Sequence, residues 1–144
     1  MTAQVQRYAG PAQFPFSSAT KADGLVYVSG TIVADGDIRN QTTKVLQSID
    51  ETLKKAGSSL AMAASVQVYI KNAADFAAMN EVYRTFWKAD PPARTTIVSD
   101  FVVPGALLEI SAIAIPNGGE RKVIHPSSWM KSPNPYSYGI KSGS

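Results

Sequence analysis

Cysteine is absent from this sequence of 144 residues, and histidine occurs once, as His125. Without cysteine the chain forms no disulfide, carries no thiolate nucleophile and offers no thiolate ligand to a metal. A lone histidine argues against a histidine-rich metal site and against a Ser-His-Asp triad. These absences narrow the chemistry that the chain can perform, and they fit a cytoplasmic protein.

Long apolar runs are also missing. No stretch approaches the roughly 18 consecutive apolar residues that a membrane-spanning helix needs. The N-terminus lacks the basic segment and apolar core of a signal peptide. We therefore expect a cytoplasmic protein that makes no contact with membranes. With 44% hydrophobic residues, the chain has the length and composition of one globular domain.

The charge excess is small and unevenly distributed. The formal net charge is +3, yet residues 1–119 contain ten basic and ten acidic side chains. The excess therefore lies in the last part of the chain, where the basic residues are scattered. A nucleic-acid surface usually needs a clustered basic face, so we do not expect nucleic acid as a partner.

Hydrophobic periodicity predicts the element order β-β-α-β-α-β-β. Residues 1–15 are expected to form a loop or an extended segment. One helix should begin between Asp37 and Asn40 and end at Ala56, and a second should span residues 73–89, because apolar side chains recur there at helical spacing. Alternating or β-branched runs predict five strands, over residues 15–21, 25–30, 65–71, 94–99 and 107–115.

This order predicts an α+β fold. Strand–helix–strand crossovers imply some parallel pairing, and one mixed sheet with both helices on one face is the economical arrangement. The last strand, residues 107–115, is apolar on both sides. Because helices cover only one face, we expect copies of the chain to associate through the open face.

Two charged residues stand out on consecutive predicted strands. Arg94 directly follows the rigid Pro91-Pro92 pair, and Glu109 interrupts the apolar run of the last strand. A cation and an acid among residues that favour burial suggest a site that holds an anion and performs proton chemistry. The alternative is a structural ion pair that ties two strands together. Ser29-Gly30 either borders a ligand or simply ends a strand.

The chain resembles the Rid (YjgF/YER057c/UK114) family of enamine and imine deaminases over residues 12–117. The resemblance rests on Ser29-Gly30, on Pro92-Ala93-Arg94 and on the segment 108–114, which reads Leu-Glu-Ile-Ser-Ala-Ile-Ala. It implies a chorismate-mutase-like fold. It also implies a homotrimer packed through its sheets, with sites in the clefts between subunits.

The resemblance further implies a hydrolase that converts small reactive 2-imino or enamine acids to 2-oxo acids and ammonia, without metal or cofactor. Arg94 matches the arginine that pairs with the substrate carboxylate, a task that suits the guanidinium fork. Glu109 matches the glutamate that positions or activates the attacking water. Ser29 and Gly30 match residues that line the pocket.

Two positions depart from the family pattern. Thr96 stands where a cysteine is frequent, and Phe16 where a tyrosine follows the proline of the first strand. Both are expected to contact the substrate, and they leave room for a larger unsaturated amino acid of the aminomuconate type. A non-catalytic trimer that holds a carboxylate metabolite through Arg94 is another alternative. A ribonuclease is a third, against which the balanced charge counts.

The end of the chain repeats its beginning. We divide the sequence into a Rid-like domain, residues 1–118, and a tail, residues 119–144. Residues 133–141 resemble residues 13–21 at an offset of 120, with identical Pro15/Pro135, Ser17/Ser137 and Lys21/Lys141 and with Tyr136 opposite Phe16. The tail is interpreted as the start of a second Rid-like unit. It could instead pair with a sheet edge, enter a neighbour's cleft or be disordered.

Overall fold

The computed structural model describes residues 4–144, and its main feature is a six-stranded mixed sheet. The strand order is β1-β2-β3-β6-β4-β5. The β4–β5 pair is parallel and all the others are antiparallel, which confirms the mixed sheet. The strands are β1 (Gln6–Ala9), β2 (Ser17–Ala22), β3 (Leu25–Thr31), β4 (Ala63–Ile70), β5 (Ala93–Val98) and β6 (Leu108–Ala114).

Residues 1–15 are predicted to form a loop or an extended segment, of which residues 1–3 lie outside the described residues. Within the rest, Gln6–Ala9 are extended as a strand that the sequence did not mark. These residues form edge strand β1, which pairs antiparallel with β2 from Gln6–Lys21 to Ala9–Ser17. The strand is short and mostly exposed, so it lacks the apolar alternation by which a strand is recognised in a sequence. Its conformation comes from backbone hydrogen bonds to β2.

Helix α1 (Ile38–Lys55) follows the predicted bounds closely. Asp37 caps it, because a side-chain oxygen of Asp37 accepts a hydrogen bond from the backbone N–H of Asn40 at 2.9 Å. Its apolar stripe is fully buried. Gly57, with φ of 77°, follows its end in the left-handed conformation that glycine tolerates.

Helix α2 (Phe76–Phe86) is shorter than predicted. The chain enters it through a 3₁₀ turn at Ala73–Asp75 and leaves helical geometry at Trp87, where φ is −133° and ψ is 89°. This departure lets the indole of Trp87 pack on Tyr83 and donate a hydrogen bond to the carbonyl of Leu60 at 2.8 Å. Neither helix in residues 4–144 combines the length and the hydropathy needed to cross a membrane.

Both helices cover the same face of the sheet, as predicted. Alternate residues of β4 and β6 are buried against them. The opposite face carries partly exposed side chains, among them Tyr69 and Ile113, with Tyr27 40% exposed and Ile97 48% exposed. Association of copies through this open face stays a prediction.

The tail, residues 119–144, folds back onto its own chain. It contains a two-stranded hairpin of β7 (Lys122–Ile124) and β8 (Gly139–Lys141). Just before β8, Ser137 forms a parallel bridge with Ala93 at the edge strand β5. The origin of the tail as the start of a second unit stays a prediction.

Candidate functional site

Arg94 lies on β5 and faces the helices. It is paired with Val66, a buried residue of β4, so its side chain points into the space beneath α2. The guanidinium carbon lies 4.7 Å from the ring centroid of Tyr83 and 5.7 Å from that of Phe76. Stacking on two aromatic rings holds the guanidinium plane in place through cation–π attraction.

Four buried polar atoms around Arg94 have no hydrogen-bond partner within residues 4–144. They are Asn80 Oδ1 and Tyr83 OH on α2, and Arg94 Nη1 and Thr96 Oγ1 on β5. We call these four side chains the Arg94 cluster. A buried polar group left unpaired costs about 1–3 kcal/mol, and such orphans normally gather where a ligand or water supplies the missing partner. The cluster therefore has the character of a binding site for a polar group.

The electrostatics of the cluster favour an anion. Burial lowers the pKa of Arg94, and the Tyr83 and Tyr136 phenols oppose this while the charge of Arg84 adds to it. Within residues 4–144, Arg94 has no carboxylate partner. An arginine remains protonated in this setting. The buried positive charge of Arg94 therefore favours the binding of an anion.

Glu109 lies on β6 and faces the other side of the sheet, since it is paired with Tyr69 of β4. The register between β3 and β6 slips between Val28 and Thr31, which presents Gly30 to the Glu109 side chain. A β-carbon at Gly30 would lie 3.0 Å from Glu109 Cδ and closer still to Oε1. Only glycine lets the carboxylate occupy this place over the strand.

Four of the six predicted site residues line one cavity of about 530 Å³. They are Phe16, Ser29, Gly30 and Glu109. The Ser29 hydroxyl donates a hydrogen bond to the carbonyl of Ser17 at 2.6 Å. This bond fixes the side of the cavity that Ser29 lines. Glu109 forms no ion pair or side-chain hydrogen bond with residues 4–144, so its carboxylate is available to a ligand or water.

Arg94 and Thr96 do not line this cavity. Strand β4 lies between β5 and β6, and the two charged side chains project from opposite faces. Arg94 and Glu109 lie on strands that are consecutive in the sequence, as predicted, but these strands are not adjacent in the sheet. The alternative of a structural Arg94–Glu109 ion pair is also not realised.

Sequence reasoning missed the roles of Asn80 and Tyr83, which the helical pattern assigned to a plain core face. The available signal was Asn80 itself, an amide among apolar positions of an amphipathic helix. His125 is exposed, with Nε2 2.9 Å from the carbonyl oxygen of Trp129. Across residues 4–144, no group of three or more His, Asp or Glu side chains is placed to hold a metal ion.

This sheet with two helices on one face is the chorismate-mutase-like α+β fold. A model of the family described as Endoribonuclease L-PSP matches residues 8–116. The chain belongs to this family, the YjgF/YER057c/UK114 family. The tail, residues 119–144, lies outside the matched region.

Solved structures of family members resemble the chain over most of its length. Yeast Mmf1 is 28% identical, with a TM-score of 0.74 over 79% of this chain and 100% of its own. Rv2704 from Mycobacterium tuberculosis is 26% identical, with a TM-score of 0.74 over 78% of this chain and 99% of its own. NMB1025 from Neisseria meningitidis is 27% identical, with a TM-score of 0.73 over 79% and 96%.

Proposed function

We propose that the protein is a hydrolytic deaminase that converts small reactive 2-imino or enamine acids, such as 2-iminobutanoate, to 2-oxo acids and ammonia. The observation that carries the proposal is the stacked, buried Arg94 guanidinium with Nη1 unpartnered. A planar carboxylate satisfies it with two parallel hydrogen bonds. The substrate class follows from family membership together with this receptor.

The chemistry needs one acid–base group beside the carboxylate receptor. The water oxygen forms a bond to the imine carbon while Glu109 accepts a proton from the water. This proton passes to the nitrogen as the C=N double bond becomes single, which gives a carbinolamine. The hydroxyl proton of the carbinolamine then moves to the nitrogen, the C=O bond forms, the C–N bond breaks and ammonia leaves. Glu109 is suited to this work because its carboxylate has no other partner among residues 4–144 and lies against the open backbone of Gly30.

The two halves of this site come from different copies of the chain. Arg94 and Glu109 lie on opposite faces of one sheet, so no substrate contacts both within one chain. In the proposed homotrimer the edge strand β5 of one copy, which carries Arg94, meets the open sheet face of the next copy, which carries Glu109. The half-exposed Tyr27 and Ile97 are the apolar residues that such packing would cover.

Ammonia release from 2-iminobutanoate, generated in the assay by an amino-acid oxidase, tests the proposal. Arg94→Ala should abolish hydrolysis and 2-oxobutanoate binding. Glu109→Ala should lower hydrolysis about a hundredfold while 2-oxobutanoate still binds. Arg39→Ala and Glu81→Ala are matched controls, because these residues form an exposed ion pair of little energetic weight.

A wild-type protein that binds 2-oxo acids yet never accelerates ammonia release contradicts the hydrolase. That result favours the alternative, a non-catalytic trimer that holds a carboxylate metabolite through Arg94. Loss of activity in Arg39→Ala comparable to that in Arg94→Ala would also contradict the assigned role of Arg94.

The cavity beside Glu109 favours a second candidate substrate. Its volume of about 530 Å³ and its Phe16 wall accommodate a larger unsaturated amino acid of the aminomuconate type. A panel of oxidase products of increasing size separates the two candidates. A preference for the smallest imines supports the first, and a rate that rises with chain length and unsaturation supports the second.

The family model is described as an endoribonuclease, and RNA cleavage is therefore a natural comparison. Residues 1–119 balance their charges, and a surface that binds RNA usually needs an extended basic face. We expect no RNA cleavage. Incubation of the protein with a structured RNA, alongside Arg94→Ala, checks this: cleavage by wild type that Arg94→Ala lacks would contradict the deaminase.

A further inference from the structure

We propose that the tail, residues 119–144, is a lid over the Arg94 cluster, and that Tyr136 is the residue by which the lid contacts the bound carboxylate compound. The proposal rests on the carboxylate-binding role proposed for Arg94. It concerns the part of the chain that lies beyond the family match, which ends at residue 116.

The tail is fastened to the strands that carry Arg94. Ser137 bridges Ala93, the residue before Arg94, and its backbone N–H donates to the carbonyl of Pro92 at 3.1 Å. Arg121 donates to the carbonyls of Ala63 and Asp90, both at 2.9 Å. The tail therefore lies along the start of β4 and β5, next to the backbone that leads into Arg94.

The tail also reaches the helical side of the cluster. Asn80 donates through Nδ2 to Asn134 Oδ1 at 3.3 Å, and Arg84 donates to the carbonyl of Pro133 at 3.0 Å. Asn80 is itself a member of the Arg94 cluster. The segment thus spans from β5 to α2 across the opening between them.

Tyr136 is the aromatic tail residue directly before the bridge with β5. It lies between the buried Pro135 and the bridged Ser137, and its phenol is close enough to oppose the lowering of the pKa of Arg94 by burial. Its ring meets Tyr138 edge-on at 5.9 Å. A phenol placed beside the guanidinium can donate a hydrogen bond to a carboxylate held there.

The tail also encloses positively charged space next to the Arg94 cluster. A cavity of about 380 Å³ lies under the tail, bordered by Tyr136 and by the basic Arg84, Lys88 and Lys131 against one acid, Asp90; none of the four side chains of the Arg94 cluster lines it. This excess of positive charge favours an anionic ligand over a neutral one of the same size. Tyr136 therefore borders a space that selects for negative charge beside the cluster.

The attachment of the tail is weak enough for it to open. Pro135 is the only buried residue of the tail, residues 119–144. The two strands of the tail, β7 and β8, have three residues each. Few buried apolar contacts give a low free energy of local opening. In the closed state Arg94 Nη1 and Thr96 Oγ1 are buried without hydrogen-bond partners from the described part of the chain, so a bound carboxylate stabilises closure and closure strengthens binding.

Hydrogen exchange of the full-length protein with and without 2-oxobutanoate tests the lid. We expect the ligand to slow exchange in residues 119–144, and to do so in wild type but not in Arg94→Ala. Tyr136→Ala and Asn134→Ala should each weaken 2-oxobutanoate binding about fivefold, the equivalent of one hydrogen bond. Met130→Ala, in the same segment but 85% exposed, should bind as wild type does.

The ratio of the affinities for two ligands of different size tests Tyr136 further, because a purely structural role of the tail would not change this ratio. Loss of the Tyr136 side chain should relax discrimination between 2-oxobutanoate and the bulkier phenylpyruvate, while Tyr136→Phe should keep it and lose only affinity. An unchanged affinity ratio in Tyr136→Ala overturns the assignment of Tyr136.

The lid and the hydrolase can fail separately. If 2-oxobutanoate slows hydrogen exchange in the tail but the protein releases no ammonia from 2-iminobutanoate, the lid proposal is supported and the hydrolase proposal is contradicted. Imine hydrolysis with no protection of the tail and unchanged affinity in Tyr136→Ala overturns the lid and leaves the hydrolase standing. Absence of 2-oxobutanoate binding to wild type overturns the lid as well.

Discussion

Arg94 and Glu109 project from opposite faces of one sheet. Arg94 pairs with Val66, which is buried beneath the helices, and Glu109 pairs with Tyr69, three residues further along the same strand. Alternation along a strand puts positions an odd number apart on opposite sides. A reaction that uses both side chains therefore needs two copies of the chain, and the predictions below follow from this division of the site.

Gly30→Ala should impair catalysis much more than folding. The new β-carbon would meet the end of the Glu109 side chain, which can swing away at little conformational cost. The carboxylate then loses its place in the cavity. We expect ammonia release to fall at least about tenfold while the free energy of unfolding changes by less than about 1 kcal/mol.

Gly139→Ala is the matched control for that substitution. A β-carbon at Gly139 would meet Ile124 Cβ at 3.7 Å, an ordinary contact. Activity and urea denaturation should both match wild type. Equal activity in Gly30→Ala and wild type would show that the position of Glu109 does not matter to the reaction.

Tyr83→Phe should alter the alkaline limb of the stability profile. Burial raises the pKa of Tyr83, and the charge of Arg94 only partly opposes this. Above about pH 10 a tyrosine of the unfolded chain ionises while the folded phenol stays neutral. Stability that is fully present below about pH 10 is therefore lost as the pH rises, by up to about 1.4 kcal/mol per pH unit.

The phenylalanine variant lacks this loss, so its free energy of unfolding should fall less steeply between about pH 10 and 11.5. At neutral pH it should lie within about 1 kcal/mol of wild type, because the Tyr83 hydroxyl has no hydrogen-bond partner within residues 4–144. Identical slopes for Tyr83→Phe and wild type would contradict the buried neutral phenol.

Trp87→Phe should destabilise the fold. The indole is 5% exposed and donates to the Leu60 carbonyl at 2.8 Å. The smaller ring leaves that carbonyl unpaired and a space beside Tyr83, so we expect a loss of about 2–3 kcal/mol. Denaturation followed by circular dichroism measures it. Trp129→Phe, at a residue 54% exposed, should change stability by less than about 0.5 kcal/mol.

Helix positions and the layering of the fold were predictable because they follow from periodicity. The apolar stripe of α1, with Asp37 before it and Gly57 after it, marks its ends in the sequence alone. The order of strands was not predictable in the same way, because sheet neighbours are set by long-range packing. The insertion of β4 between β5 and β6 is what separates Arg94 from Glu109.

The candidate site was predictable as a set of residue types but not as a geometry. Phe16, Ser29, Gly30 and Glu109 meet in one cavity because the register of β3 slips, and no local pattern announces such a bulge. Asn80 belongs to the Arg94 cluster only because α2 packs against β5, and the sequence pattern does not show that contact. The match of Tyr136 to Phe16 in the repeat was visible in the sequence. The position of Tyr136 near Arg94 was not, because it depends on how the tail folds back.

The most direct test of the central claim is recovery of activity by mixing two inactive variants. Arg94→Ala and Glu109→Ala chains are unfolded together in equal amounts, refolded and assayed for ammonia release from 2-iminobutanoate. Random assembly leaves about a quarter of the sites with both side chains intact, so the mixture should regain about a quarter of the wild-type rate. A mixture as inactive as its two parents would contradict a site shared between copies.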